Sequence, residues 1–304
     1  MIKPDSVDQY DEFPSRMPIH SRPNYYKLPF YNGVACTNAY RNGSILPIDP
    51  SSLLALDNLL LQSTDHVLDL CCAPGAKLSL MALRSASVTG VDISKQRIGA
   101  TVSLVKKYHL NNVRLFLTDG QHFDTTVHHV SERERNIIDE NFESLYDAKE
   151  KRPYWCSSRY RKQRGHLGDL YDKVLVDAQC THDGSIKHIR KHIESCWKHF
   201  NPEHFEKEGL AELCELQYQL LCNGFRLLKP NGIVVYSTCS LSSCQNQCIV
   251  ERFIRNHENA IVEDPVGSDE SIGIIPLENG TKAIKVQPGP EIGGGFFLCR
   301  IRKT

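Results

Sequence analysis

Residues 66–93 read "HVLDLCCAPGAKLSLMALRSASVTGVDI". An apolar run of strand length ends at Asp69, a turn carries Pro74 and Gly75, a helical stretch starts at Leu78, and a second apolar run ends on Asp92. Strand, turn, helix and strand in that order place the two strands parallel, because the helix carries the chain back across the sheet. The alternation continues outward: "KQRIGATVSLVKKYHL" (95–110) has helical periodicity and "VRLFLTDG" (113–120) is a third strand. It resumes with "YDKVLVDA" (171–178) as a strand and "GLAELCELQYQLLCNGFRLL" (209–228) as a helix. Lys229-Pro230-Asn231-Gly232 then reads as a turn, "IVVYSTCS" (233–240) as a strand, and "QNQCIVERFIRNH" (245–257) as a helix. "GGGFFLCRIRK" (293–303) is predicted to be a last strand, pairing antiparallel. The whole is an α/β pattern: a mostly parallel, doubly wound sheet with crossover helices on both faces.

Two regions depart from the rhythm. Residues 1–45, rich in Pro, Tyr, Asn and Ser, read as an N-terminal extension, and the main domain is expected over 46–304. It opens with "ILPIDPSSLLALDNLLL" (45–61), where Asp49 and Pro50 are helix-start residues before an amphipathic run. Residues at about 124–168 form a long charged stretch, read as an insertion.

Composition bounds what such a domain can be. Of 304 residues 40% are hydrophobic and 24% charged, and no apolar run approaches the roughly 20 residues of a membrane span, so a soluble protein with no membrane association is expected. The opening "MIKPDSVDQYDEFPSR" has neither an apolar core nor an Arg-rich bias, which points to an intracellular address. The twelve cysteines are irregularly spaced and Cys71 adjoins Cys72, so reduced thiols are expected rather than a disulfide framework. The formal net charge is zero, so any affinity for nucleic acid must come from local basic patches.

The candidate chemistry lies at strand ends. "DLCCAPGAK" (69–77) is a Gly-containing strand-to-helix turn of the type that lets backbone approach a ligand. Asp92 ends the next strand at the offset where a carboxylate grips a ribose diol, and Asp119 ends the third. Each acid alone could be a turn cap, but three acids at three strand ends, with Asp177 following, form a pattern. A ribose acid without the glycine spacing of a diphosphate site favours S-adenosylmethionine over a dinucleotide. Cys180 and Cys239 each lie just past a strand on the same sheet edge, where a thiolate would meet a methyl donor.

Together "DLCCAPGAK", "VDISKQR" (91–97), "TDG" (118–120), "DAQCTHDGS" (177–185) and "VVYSTCSLSSCQNQ" (234–247) resemble the successive motifs of the Nol1/Nop2/Sun family of RNA cytosine-C5 methyltransferases, with "IDPSS" (48–52) resembling its preceding segment. The resemblance runs from about Ile45 onward. It implies a Rossmann-like class I methyltransferase fold and S-adenosylmethionine as cofactor, held by Cys72, Ala73, Pro74, Gly75, Ala76, Lys77, Asp92, Arg97, Asp119 and Asp177. It further implies that Cys239 attacks cytosine C6, that Asp177 holds the base, that Cys180 assists proton removal and release, and that Lys77 positions these groups. No metal is implied.

Three departures from the family stand out. Gln179 takes the place of a usual Pro, Ala76 that of a second Gly, and Gln245 and Gln247 stand where acids are common. They motivate a second reading, a catalytically weak S-adenosylmethionine-binding RNA scaffold such as a ribosome-assembly factor. For RNA (tRNA or rRNA) two basic groups are expected: Lys187, Arg190 and Lys191 beside "DAQCTHDGS", and Trp155, Arg159, Arg161 and Lys162, where cations and aromatics interleave. The arm before Ile45 is shorter than the N-terminal domain common in that family, so a protein partner or the charged insertion is expected to supply RNA affinity, and the chain is expected to be a monomer by itself.

Overall fold

The computed structural model describes residues 17–18, 25–27, 34–124, 153–162, 170–194, 206–266, 273–289 and 294–304. A two-residue ribbon pairs β1 (Met17–Pro18) with β2 (Tyr26–Lys27). The short helix α1 (Asn38–Arg41) is held on the domain by Lys107 over the Tyr40 ring and by the Tyr108 hydroxyl donating to the Ile45 carbonyl. Helix α2 (Pro50–Asn58) begins where Asp49 and Pro50 predict, with the Asp49 carboxylate accepting the Ser51 N–H at 3.0 Å.

Then come β3 (His66–Asp69), α3 (Ala76–Ala82), β4 (Ser87–Asp92), α4 (Lys95–Lys107) and β5 (Val113–Leu117). The sheet continues with β6 (Trp155–Cys156), β7 (Tyr171–Asp177), β8 (Leu228–Thr238), β9 (Ala260–Glu263), β10 (Ile274–Pro276), β11 (Lys282–Val286) and β12 (Phe296–Lys303). The described residues form a ten-stranded sheet in the order β10-β11-β12-β8-β7-β3-β4-β5-β6, with β9 also on β12. The five central strands, β8, β7, β3, β4 and β5, run parallel, and the antiparallel strands extend both edges. β12 is antiparallel as expected, whereas β9, β10 and β11 have no counterpart in the sequence-based reading.

The near-continuous apolar runs follow from burial on both faces. Val67, Leu175 and Val235 enter one apolar cluster, while Leu68, Val174, Val176 and Val234 enter the other. The Lys229-Pro230-Asn231-Gly232 turn is absorbed into β8: pairing steps from Tyr171/Leu228 to Lys173/Ile233, with Asn231 left-handed and Lys229 bonded to Asp172 at 2.8 Å. Chain order reverses between β3 and β7, and at that switch point a doubly wound sheet opens a crevice at the carboxyl ends of its strands. Among the described residues no helix is long and apolar enough to cross a membrane.

Candidate active site

The crevice is a cavity of about 910 Å³ lined by Ala73, Pro74, Lys77, Asp92, Arg97, Asp119, Asp177 and Cys239, all picked out by sequence. Its floor is the switch point itself. Lys77, in the first turn of α3, donates to the Asp177 carboxylate at the end of β7 at 2.7 Å, and Ser237 at the end of β8 donates to the other oxygen at 2.8 Å. Burial works against the Lys77 charge, but Asp177 outweighs it and the ammonium titrates above its ordinary value.

Asp92 is buried, accepts the N–H groups of Ala73 at 3.2 Å and Ser94 at 2.9 Å, and has Arg97 3.7 Å away. Arg97 also donates to the Ala73 carbonyl, so one side chain ties the turn after β3 to the acid after β4. Asp119 accepts the Gln121 N–H at 2.9 Å. Three expected cofactor contacts lie elsewhere. Cys72 turns into the apolar layer, Gly75 packs against Thr101 with φ +102°, and Ala76 begins α3; none lines the cavity, whereas the neighbour Cys71 does. The left-handed residue of this turn is Gly75, so Ala76 meets no conformational demand for glycine.

Asp69, the first of the three strand-end acids, is enclosed at the end of β3. Burial, with Asp177 adding, pushes its carboxyl up to about 8. A carboxyl raised in the folded state contributes most stability below its unfolded value near 4 and loses that contribution as pH rises through about 8. Asp69→Asn is therefore expected to flatten the decline of unfolding free energy between pH 4 and pH 8. The difference from wild type should reach a few kcal/mol at alkaline pH, since each tenfold difference in proton affinity between folded and unfolded states corresponds to about 1.4 kcal/mol. Urea denaturation across pH measures it.

The rim beyond β7 and β8 brings the two cysteines together. Cys180 Sγ and Cys239 Sγ are 3.3 Å apart; Cys239 faces the cavity and Cys180, which is buried, lies behind it. The hydrogen bond between them, with His182 assisting, draws Cys180 down to about 5 against burial, and the same bond with burial pushes Cys239 up. The pair releases one proton readily and keeps the other.

His182, inside "DAQCTHDGS" but given no role by it, joins the pair. Its Nδ1 lies 2.9 Å from Cys239 Sγ and 3.5 Å from Cys180 Sγ, and its φ is +56°. Sequence gives no direct sign of a left-handed histidine, although an imidazole two residues after a thiol is a signal that could have been weighed. The three ligand atoms lie within 4.8 Å of one another, as a metal site would require. The 2.9 and 3.3 Å spacings are nonetheless hydrogen-bond distances, shorter than the edges of roughly 3.5–3.8 Å that zinc bond lengths dictate for a tetrahedron.

The segment holding Cys180 is braced by amides. The buried Gln217 side chain donates to the Gln179 carbonyl at 2.7 Å and to Gln245 Oε1 at 3.2 Å. Gln245 in turn accepts the Thr181 N–H at 3.1 Å and donates to its hydroxyl at 2.9 Å. These bonds fix the backbone on both sides of Cys180, which is the order a proline at 179 would otherwise impose. Gln217→Leu leaves the Gln179 carbonyl unpaired and is expected to cost about 1–3 kcal/mol of stability in urea denaturation. Gly184 stitches the loop further: its N–H donates to the Cys239 carbonyl at 3.0 Å, its carbonyl accepts from Gly295 at 2.8 Å, and a Cβ there would come within 2.7 Å of the Cys239 oxygen.

The expected RNA contacts separate. The helix Ile186–Glu194 leaves directly from the rim, with Arg190 and Lys191 exposed and Arg190 3.1 Å from Glu194; the Lys187 side chain lies outside the described residues. Of the second group, Trp155 and Arg159 lie away from the rim. Trp155 packs against the apolar core as part of the edge strand β6, which is antiparallel to β5. The chain therefore exits at the amino end of β5, where Ser157 bonds to Val113, and the helix Ser158–Lys162 with Arg159 sits at the opposite end of the sheet. The side chains of Arg161 and Lys162, and residues 125–152 and 163–169, lie outside the described residues.

Comparisons with known proteins bear on the family and the fold. Residues 56–302 match the family model described as 16S rRNA methyltransferase RsmB/F. The ribosomal RNA small subunit methyltransferase B of Sodalis glossinidius is 26% identical over 80% of this chain and 42% of its own length; that of Enterobacter sp. is 25% identical over 97% and 53%. The chain thus spans about half the length of these relatives. The solved structure of NSun6 from Pyrococcus horikoshii with SFG superposes with a TM-score of 0.62 at 21% identity, over 91% of this chain and 57% of that one, and shares the fold.

Proposed function

Because the chain belongs to the 16S rRNA methyltransferase RsmB/F family, we propose that the rim formed by Lys77, Asp177, Cys180 and Cys239 methylates carbon 5 of a cytosine in RNA. The observation that carries this reading is the pair of thiols 3.3 Å apart, one facing the cavity and one behind, beside a lysine-paired carboxylate.

The cavity residues fit S-adenosylmethionine. Asp92 and Asp119, at the ends of neighbouring strands, suit a ribose diol and an adenine amine, while Gly75 packs away from the cavity and leaves no glycine cradle for a diphosphate. When bound, this cofactor supplies an electrophilic methyl group. The chain's own residues make the cytosine ring receptive to it. Cys239, the sulfur on the cavity side, adds as a thiolate to C6 and pushes the C5–C6 electron pair toward C5. Asp177 holds the N3/N4 edge of the ring, and the adjacent Lys77 ammonium offsets the charge that builds there. Once C5 carries the methyl group, Cys180 takes the C5 proton, the C5–C6 double bond re-forms and the C6–S bond breaks, returning Cys239 as a thiolate.

The cytosine must leave any stack to reach Cys239, so a single-stranded or looped site is the substrate, and the exposed Arg190 and Lys191 beside the rim are its phosphate contacts. Ribosomal RNA is the leading class, in keeping with what the matching family is described as modifying. Bisulfite sequencing of RNA from cells with and without the gene tests the reading: at least one cytosine protected with the gene is expected to lose that protection without it. Full protection of every site in its absence would favour the non-catalytic scaffold.

A further inference from the structure

Resting on the cytosine reading, we propose that His182 is a third reacting group of the rim, through which protons enter and leave the thiol pair. Its Nδ1 is within hydrogen-bond reach of both sulfurs, 2.9 Å from Cys239 and 3.5 Å from Cys180, and the ring lines the cavity. The backbone pays for this placement, since a non-glycine residue is held at φ +56° where a side chain is disfavoured. The ring is also oriented from its other side. It stacks on His188 at 4.3 Å between centroids and 12° between planes, and His188 is fixed by Ser185 at 2.8 Å.

The proton traffic balances around this imidazole. Neutral Nδ1 accepts the Cys239 proton as that sulfur becomes the thiolate that adds to C6. The Cys180 thiolate takes the C5 proton as the ring double bond re-forms. Cys239 departs with the electron pair of the C6–S bond and recovers its proton from the imidazolium. The one proton released per turnover, now on Cys180, passes through His182 to solvent, and both groups return to their starting state. The hydrogen bond with Cys180 raises His182 above its ordinary value against burial, so the neutral base appears later in a pH titration than for an ordinary histidine. The charged and titratable groups facing it are Cys180, Cys239, Asp177 at the end of β7, Lys77 on α3, Arg97 on α4 and His188.

The test is His182→Gly, which removes the imidazole while suiting the left-handed backbone better than histidine does. In the free protein, alkylation of Cys239 by iodoacetamide, followed by peptide mass spectrometry over pH 5–9, is expected to be about tenfold slower near neutrality, with its acid limb displaced. Methyl transfer to RNA should fall about 10²-fold, within the range general acid–base groups supply, and imidazole added to the assay should restore part of it. Wild-type alkylation and methylation profiles in His182→Gly, or a loss that imidazole does not relieve, would overturn the proposal. Altered alkylation in the variant with no methyl transfer to any RNA by the wild type would support the imidazole–thiol coupling while removing the cytosine reading. The two failures are therefore separable.

Discussion

Cys180→Ala is expected to leave the protein covalently joined to RNA in a complex that survives denaturation, whereas Cys239→Ala should form no adduct and lose methyl transfer by at least about four orders of magnitude. The asymmetry follows from position. Of the two sulfurs only Cys239 faces the cavity, so only it can reach C6, and Cys180 behind it at 3.3 Å is placed to act afterwards. Without Cys180 the C5 proton has no nearby thiolate acceptor, and the C6–S bond persists. Denaturing gel electrophoresis of each variant with cellular RNA and labelled cofactor reads both outcomes. A trapped complex in Cys239→Ala, or none in Cys180→Ala alongside full turnover, would exchange or abolish the assigned roles.

Asp177→Ala is expected to lower the rate constant for methyl transfer by about 10²–10³, the magnitude of losing one preorganised polar group at a developing charge. The loss is compound. The carboxylate joins Lys77 from α3 to Ser237 from β8, so its removal takes away the ring-edge contact and deprives the Lys77 ammonium of its main counter-charge against burial. Lys77→Met keeps the carboxylate and loses only the compensating charge, so its defect should be smaller. Single-turnover kinetics with saturating RNA compare the two, and equal defects would mean that Asp177 acts only by holding the lysine.

The parts of this site legible in sequence are those set by strand periodicity. Asp92, Asp119 and Asp177 end apolar runs, and a run that ends at a known edge fixes where its last polar side chain projects. Which member of an adjacent pair faces the cavity was less accessible: Cys71 does and Cys72 does not, because the turn after β3 breaks the alternation that would have told them apart. Trp155 shows the opposite difficulty. Its basic and aromatic neighbours resemble an RNA patch, but a two-residue antiparallel strand on β5 packs the half-buried ring against the core, and pairing between residues about 40 apart leaves no local pattern. Gln217 and Gln245 were likewise invisible as a brace, since their partnership spans 28 positions and exists only once the helix Lys207–Arg226 lies over the rim.

The position of β12 carries a consequence for biosynthesis. It is the last of the described strands to leave the ribosome, yet it sits between β8 and β11, and the glycine just before it is hydrogen-bonded to the loop that carries Cys180. A nascent chain that has been made as far as Cys239, just past β8, holds every side chain assigned a reacting role but presents an unpaired β8 edge, a surface prone to wrong pairing until the late strand arrives. In this architecture the β8 edge is covered in one step once β12 has emerged, and stalling before residue 296 is expected to yield a species that engages chaperones.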